Sequence, residues 1–201
     1  MLKLKNQKGT SAAMTMADAG GGRNLLRNTG EMPIGAILEN KYSAYVNSAD
    51  FQDTGNGVKL TYRTGATEGI TIPIVFEDCV KHGDIVTLSF EYRGNITSFG
   101  QFYWMQKTGS NFFSTISEPM VADDTNWQKY KTTFTAQYVN TRINTYIMLL
   151  YQMLDSDKWI EIKKGTLKLE HGSIATDWTP APEDFQSQLD ELKAQITALG
   201  G

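Results

Sequence analysis

The feature that most constrains the fold is the alternation of apolar and polar residues in short segments between turn residues. In residues 84–93 the apolar members fall on one side of an extended chain: Val86, Leu88, Phe90 and Tyr92. The polar members fall on the other: Thr87, Ser89, Glu91 and Arg93. Because successive side chains of a β-strand point to opposite faces, this segment predicts a strand with one face in the core and one in water.

The same rhythm recurs along most of the chain. It is clear in "WQKYKTTFTA" and "IEIKKGTLKLEHG", whereas "RINTYIMLLYQML" is apolar on both faces and predicts a doubly covered strand. Turn segments rich in Gly and Asn, such as "DTGNG", separate these stretches. Roughly eight to ten short strands without intervening helical patterns predict an all-β, antiparallel two-sheet sandwich, of jelly-roll or Greek-key type.

The composition divides the chain into three parts. Residues 1–22 are rich in Gly, Ala, Ser and Lys without periodicity, which predicts a flexible N-terminal tail or linker. Residues 23–179 form the sandwich, and residues 180–201 a C-terminal helix. Prolines end the last strand, and Glu183 and Asp184 suit a first helical turn.

The helix carries an apolar seam whose mean spacing of 3.5 residues is that of a coiled coil. Its members are Phe185, Leu189, Leu192, Ile196 and Leu199. The seam spans only about two heptads, so two alternatives stay open: self-association of the chain, or a helix folded back on its own sandwich.

The bulk charge excludes some function classes. The net charge is −3 with both signs interspersed, which is not the pattern of a nucleic-acid binder. No apolar run is long enough to insert into a membrane, and no export signal is visible. The single cysteine, Cys79, is expected to be a buried thiol.

Catalytic patterns are not found either. The two histidines, His82 and His171, each precede a turn glycine and have no ligand-spaced partner. The adjacent acids at 123–124 and 183–184 read as a loop and a helix start, whereas a glycosidase needs two carboxyls facing one bond. The sequence therefore does not predict an enzyme.

Three segments together resemble a known class of module. They are "GRNLLRNTGE", "TNWQKYKTTFTA" and, most specifically, "KLEHGSIATDWTPAPED". The chain resembles the carbohydrate-binding-type jelly-roll modules of tail, baseplate and tail-fibre proteins from phages of Gram-positive bacteria. The resemblance implies a virion protein of the tail tip, baseplate or fibre, assembled in the host cytoplasm. It would bind a cell-wall or surface polysaccharide and other tail proteins, often as a trimer.

Saccharide sites need aromatic faces for stacking and polar side chains that hydrogen-bond hydroxyl groups. The residues that meet these needs best are Glu91, Arg93, Tyr103, Trp104, Tyr146 and Trp159. Trp127 and Trp178, in the framework-like segments, are assigned to packing. No cofactor is expected apart from the structural calcium that some modules of this type carry, for which Glu31 and Asp177 are the candidates.

Two other functions remain open from the sequence. The sandwich could be a structural connector or oligomerisation module that binds no ligand. It could also be an accessory module of a wall-degrading enzyme whose catalytic domain lies elsewhere.

Overall fold

The structure is a computed structural model that describes residues 22–32, 50–61, 68–73, 79–97, 101–105, 112–116, 118–137, 146–151 and 157–199. Most of the predicted tail lies outside the described residues. Within this part the chain forms ten strands and one helix. The strands are antiparallel throughout.

The first sheet contains six strands. They are β1 (Asp50–Asp53), β2 (Gly57–Thr61), β4 (Ile85–Gly94), β7 (Asp123–Thr135), β9 (Trp159–Lys163) and β10 (Lys168–His171). β1 pairs with β2 and β2 with β9. β4 is central, because β7 pairs with it along its whole length while β9 and β10 also pair with it.

β9 and β10 run one after the other along β4. Ile162 of β9 lies opposite Tyr92, and Leu169 of β10 lies opposite Leu88. The sequence pattern predicts one continuous alternating segment here. The structure instead inserts a turn at residues 164–166, where Gly165 has a φ of 67° that favours glycine.

The second sheet contains four strands in the order β3, β8, β5, β6. Their ranges are β3 (Glu68–Pro73), β5 (Gln101–Met105), β6 (Phe112–Ile116) and β8 (Tyr146–Tyr151). Only the backbone of these strands is described. The register places Trp104 opposite Ile147 and Phe113.

The core lies on one face of the first sheet. The predicted inward residues of β4, Val86, Leu88, Phe90 and Tyr92, are all at most 3% exposed. Their cross-strand neighbours Ile162, Leu169 and Tyr130 are buried with them. The predicted all-β, antiparallel two-sheet jelly-roll sandwich with a short C-terminal helix is therefore confirmed.

A buried asparagine ties the opening segment to β10. The amide nitrogen of Asn24 donates to Thr29 Oγ1 and to the carbonyl oxygen of Leu167, at 2.8 and 3.1 Å. Its Oδ1 accepts the backbone N–H groups of Leu26 and Leu169. The fully buried side chain thus satisfies its polar groups by bridging two distant parts of the sequence.

A buried ion pair ties the closing segment to the same strand. The Lys168 ammonium lies 3.4 Å from Glu170 and donates to Thr176 Oγ1 and to the carbonyl oxygen of Asp177. The Glu170 carboxylate accepts the N–H and hydroxyl of Thr176 and the N–H of Gly22. Both charged side chains are at most 1% exposed, so their polar atoms are satisfied by the protein and not by water.

Trp178 packs where the opening and closing segments meet at β10, a place that we call the closing junction, as the packing assignment from the sequence requires. Its indole N–H donates to Thr29 Oγ1 at 3.1 Å, and its ring lies against Gly30 and Gly165. The Thr29 hydroxyl therefore joins the opening segment, through Asn24, to the closing segment, through Trp178.

Helix α1 (Pro182–Ala198) begins where the sequence predicts, with proline at its start and acidic residues in its first turn. Glu183 binds Arg23, and Asp184 accepts the N–H of Asn28, so the first turn is fixed to the sandwich. No helix in the described ranges has the length and apolarity needed to cross a membrane.

The apolar seam of α1 is exposed. Phe185, Leu189, Leu192 and Ile196 are 51–54% exposed, and Leu199, at the C-cap just beyond the helix, is 88% exposed. The alternative of a helix folded back on its own sandwich does not hold in this structure, because such packing would bury the seam.

Candidate functional site

The first sheet presents a second face, which points away from the core. We call it the outer face, and its members come from β2, β4, β7 and β9: Lys59, Glu91, Arg93, Trp127, Lys129, Lys131, Trp159, Glu161 and Lys163. The strand register brings them together, because Glu161 lies opposite both Lys59 and Arg93, and Glu91 lies opposite Lys129. These side chains form a continuous row across four strands.

A half-exposed ion pair lies at the centre of the outer face. Arg93 Nε donates to Glu161 Oε2 at 2.7 Å, and the other carboxylate oxygen accepts the hydroxyl of Thr54 at 2.5 Å. The Arg93 side chain is 31% exposed, whereas that of Glu161 is 1% exposed. The carboxylate is therefore a buried anchor that holds the guanidinium at the surface.

A second ion pair lies beside the first. Lys163 Nζ donates to Glu91 Oε2 at 2.5 Å, and both side chains remain partly exposed. The backbone N–H of Glu91 donates to Thr166 Oγ1 in the turn between β9 and β10. The turn that interrupts the two strands thus also fixes β4 at the position of Glu91.

Two tryptophans flank these pairs, and cations lie over their rings. The guanidinium of Arg93 is 4.9 Å from the ring centroid of Trp127, and Lys163 Nζ is 5.5 Å from it. Lys59 Nζ lies 4.2 Å from the ring centroid of Trp159. Both rings are half-buried, which makes this a rigid surface with aromatic and hydrogen-bonding groups side by side.

A glycine allows the strands under this surface to approach closely. A Cβ atom at Gly57 would lie 2.5 Å from the carbonyl oxygen of Ile162 and 3.0 Å from Glu161 Cγ. A larger residue would push β2 away from β9 at the level of the Arg93–Glu161 pair. The absence of a side chain at position 57 is therefore part of how the outer face is built.

The first residues of β7 are ordered by a carboxylate. Asp123 Oδ1 accepts the backbone N–H groups of Thr125 and Asn126 and the hydroxyl of Thr125. These hydrogen bonds hold the pKa of Asp123 far below its usual value. The same hydrogen bonds fix the start of β7, the strand that carries Trp127.

The structure brings together only some of the predicted site residues. Glu91, Arg93 and Trp159 share the outer face as candidates should. The assignment of Trp127 to packing is wrong, since the ring lies on the outer face beside Arg93, not in the core. Because Gln128 lies opposite Tyr92, the parity of the β7 alternation carried the signal that Trp127 points outward.

The other aromatic candidates belong to the second sheet. Tyr103 and Trp104 lie on β5 and Tyr146 on β8, but their side chains lie outside the described part. Sequence reasoning missed the other five charged members of the outer face, because charged residues on a strand ordinarily indicate only a solvated face. They are Lys59, Lys129, Lys131, Glu161 and Lys163. Their significance depends on register across strands that are distant in sequence.

The calcium candidates are separate from this face. Glu31 and Asp177 are both exposed, and the main-chain oxygen of Asp177 accepts a hydrogen bond from Lys168. Over the ranges that the structure covers, no three His, Cys, Asp or Glu side chains group as metal ligands. A structural calcium stays a prediction.

No protein-family model and no curated protein matches the sequence. Among solved structures, the chain is similar to a family 29 carbohydrate-binding module, with 12% identity over 81% of this chain and 94% of that one, at a TM-score of 0.46. It is similar to the CBM22-1 xylan-binding domain of Paenibacillus barcinonensis Xyn10C, with 12% identity over 63% and 82%, at 0.43.

A third similar structure is the tripod from the baseplate of bacteriophage Tuc2009. The identity is 16% over 82% of this chain and 60% of that chain, and the TM-score is 0.47. Carbohydrate-binding modules and a phage baseplate protein, the two kinds of protein in the sequence resemblance, are thus both among the similar structures. At these identities and TM-scores, the similarity assigns no ligand and no function to this chain.

Proposed function

We propose that this chain is a saccharide-binding module of a phage tail, and that the outer face of the first sheet is its binding surface. The observation that carries the proposal is the row in which Trp127 and Trp159 lie beside the Arg93–Glu161 and Glu91–Lys163 pairs. Aromatic rings pack against the C–H-rich surface of a sugar, and the charged groups beside them hydrogen-bond its hydroxyls. Because the groups stand on paired strands, little conformational freedom is lost on binding.

The arrangement supports binding without catalysis. A glycosidase needs one carboxyl group that donates a proton and a second that acts on the other side of the bond. The two carboxylates of the outer face, Glu91 and Glu161, are instead each held by a cation at 2.5–2.7 Å. The two carboxylates therefore hold Arg93 and Lys163 in position and do not face each other across a bond.

The phage context rests on the closing segment "KLEHGSIATDWTPAPED", the most specific part of the sequence resemblance. In a virion of the tail-tip, baseplate or fibre type, many copies of the module contact one wall polymer. Individual sites can then be weak, because linked sites raise the overall avidity without new contacts. We expect a single module to bind its saccharide weakly.

Binding to a panel of purified cell-wall polysaccharides from Gram-positive bacteria tests this proposal. We expect saturable binding to at least one polymer, and a loss of about tenfold or more in affinity for Trp127→Ala and for Trp159→Ala. The control is Ile174→Ala, which removes an apolar side chain that is 62% exposed on the closing segment. Saturable binding that all three folded variants retain would place the site elsewhere, and no binding to any polymer would reject saccharide binding.

A second function, the joining of subunits, is favoured by helix α1. Its seam is exposed along the whole helix, while its first turn is fixed to the sandwich by Arg23 and Asn28. Copies of the helix that pack seam to seam would therefore hold their sandwiches in a defined orientation. We propose a homo-oligomer, and the sequence resemblance favours a trimer.

The residues beside the seam suit a second copy of this chain. In the heptad of the seam, the flanking positions hold Gln186, Gln188, Lys193 and Gln195. In parallel copies, Gln188 of one helix lies opposite Lys193 of its neighbour. No like charges meet there, so these positions do not oppose association. The acids Asp190 and Glu191 lie away from the seam.

The mass of the chain in solution, measured by light scattering, tests the second function. We expect an oligomer that dissociates in Leu192→Asp, because a charge in the seam would lose its hydration on association. Ala194→Asp, on the opposite side of the helix, is the matched control and should leave the mass unchanged. A monomeric wild-type chain at high concentration would reject the proposal.

A further inference from the structure

The outer face carries more positive than negative charge. Its cations are Lys59, Arg93, Lys129, Lys131 and Lys163, and its carboxylates are Glu91 and Glu161. Five cations against two anions leave a formal excess of three positive charges, in a chain whose net charge is −3. We infer that the outer face binds an anionic saccharide polymer, an inference that rests on the proposed saccharide-binding function.

The surplus charge is available to a ligand. Arg93 and Lys163 are engaged by Glu161 and Glu91, whereas Lys59, Lys129 and Lys131 form no ion pair within the described part of the chain. Lys129 and Lys131 are exposed and lie two residues apart on one face of β7, a separation of about 7 Å along the strand. This pair presents two ammonium groups on the same face of β7 as the Trp127 ring.

The cations over the tryptophan rings also favour an acidic ligand. A neutral sugar that stacks on the ring of Trp127 must share it with Arg93 and Lys163, which lie within 4.9 and 5.5 Å of its centroid. A saccharide that bears phosphate or carboxylate groups can instead bind these cations while its C–H surface contacts the rest of the ring. Lys59 over Trp159 repeats this arrangement at the other end of the face.

The charge density distinguishes a saccharide from a nucleic acid. Duplex DNA carries one charge per about 1.7 Å and requires a strongly basic surface. This face carries a moderate excess on an acidic protein, whose overall field repels a dense polyanion at long range. A polymer with one acidic group per sugar or polyol unit fits the observed spacing of cations better.

Two matched pairs of polymers provide the probes. One is a polyol-phosphate wall polysaccharide before and after removal of its phosphates with hydrofluoric acid. The other is a uronic-acid polysaccharide before and after reduction of its carboxylates. We expect the 201-residue chain to bind at least one acidic form at least tenfold more tightly than its neutral counterpart, and salt to weaken that binding. The two pairs distinguish phosphate from carboxylate as the source of charge.

The variants locate the effect. Lys129→Gln/Lys131→Gln should weaken binding to the acidic polymer roughly tenfold and reduce its salt dependence. Lys81→Gln, which changes an exposed lysine just before β4 that belongs neither to the outer face nor to α1, is the control and should bind like the wild type. A double variant that behaves like this control would overturn the inference.

The remaining outcomes separate this inference from the proposed function. Equal binding of acidic and neutral forms, unaffected by salt, would reject the anionic class but leave saccharide binding intact. Absence of binding to all polymers in both pairs and in the wider wall panel would reject both. Binding of single-stranded DNA as tight as that of the acidic saccharide would also overturn the inference, because it would show general attraction of polyanions.

Discussion

The molecule contains two charged clusters that differ in what surrounds them. At the closing junction, Lys168 and Glu170 are at most 1% exposed and bind the segments that begin and end the sandwich. On the outer face, the side chains of Lys163 and Glu91 are 37% and 27% exposed and lie beside Trp127. Opposite charges are paired in both places, but only the second cluster can contact a ligand.

The difference teaches how to separate structural charge from functional charge in a sandwich of this kind. The Lys168–Glu170 pair has lost its hydration, so its energy depends on complete pairing and hydrogen bonding by the protein. The outer pair keeps much of its hydration and stabilises the fold little. Surplus cations and aromatic rings occur beside the second pair, which is why we place binding there.

The largest expected effect comes from breaking the Lys168–Glu170 pair at the closing junction. Lys168→Met leaves the Glu170 carboxylate buried without its cation, and we expect the free energy of unfolding to fall by about 3–5 kcal/mol. Lys163→Met, the matched change on the outer face, should cost at most about 1 kcal/mol. Urea denaturation of both variants measures the contrast. Similar losses in the two variants would contradict the distinction between the clusters.

The two tryptophans near these clusters should show the next largest effect. Trp178→Ala removes a ring that packs on Gly30 and hydrogen-bonds Thr29, and we expect a loss of about 2–4 kcal/mol in the free energy of unfolding. Trp127→Ala should cost only about 1 kcal/mol, because the half-buried ring contacts side chains at the surface. Thermal unfolding of the pair would refute this if Trp127→Ala proved the more damaging change.

A smaller effect is expected from the glycine beneath the outer face. Gly57→Ala places a methyl group 2.5 Å from a backbone oxygen, and we expect a loss of about 1–3 kcal/mol in the free energy of unfolding. It should also weaken saccharide binding, because Glu161 must move and Arg93 with it. Gly30→Ala is the control, since a Cβ atom there meets Trp178 at an ordinary 3.5 Å. Unchanged stability and binding in Gly57→Ala would contradict this account of strand spacing.

The fold followed from the sequence where local patterns decide it. The alternation in β4 predicted its buried face, and the prolines predicted the start of α1. The site did not follow in the same way, because it depends on which strands become neighbours. Nothing local to Glu161 shows that it meets Arg93, 68 residues away, and Trp127 was misassigned because a framework-like motif outweighed strand parity.

The buried polar groups were the other gap between sequence and structure. Lys168 and Glu170 alternate with apolar residues as if they faced water, yet both are buried. The reason is that the closing segment returns over this face of β10 and supplies Thr176 and Asp177 as hydrogen-bonding partners. Such a return is a tertiary event that the period of a strand cannot indicate.

The smallest expected effects concern two aspartates, Asp123 at the start of β7 and Asp184 in the first turn of α1, whose pKa values shift in opposite directions. Hydrogen bonds from Asn126 and Thr125 lower the pKa of Asp123, so its contribution to stability is present above the unfolded value of 3.8 and is lost as the pH falls. Burial raises the pKa of Asp184 despite its hydrogen bond from Asn28. The folded state then binds the proton more tightly, and this group lowers stability as the pH rises past 3.8.

Replacing each carboxylate with an amide separates the two contributions. Relative to the wild type, Asp123→Asn should become less stable as the pH rises from about 3 to about 7, and Asp184→Asn should become more stable over the same interval. Urea denaturation across this range measures both, and each variant is the control for the other. Stability differences that change in the same direction with pH would contradict at least one of the two pKa shifts. Either fewer N–H groups would then bind Asp123, or Asp184 would be more hydrated than its position in the first turn of α1 allows.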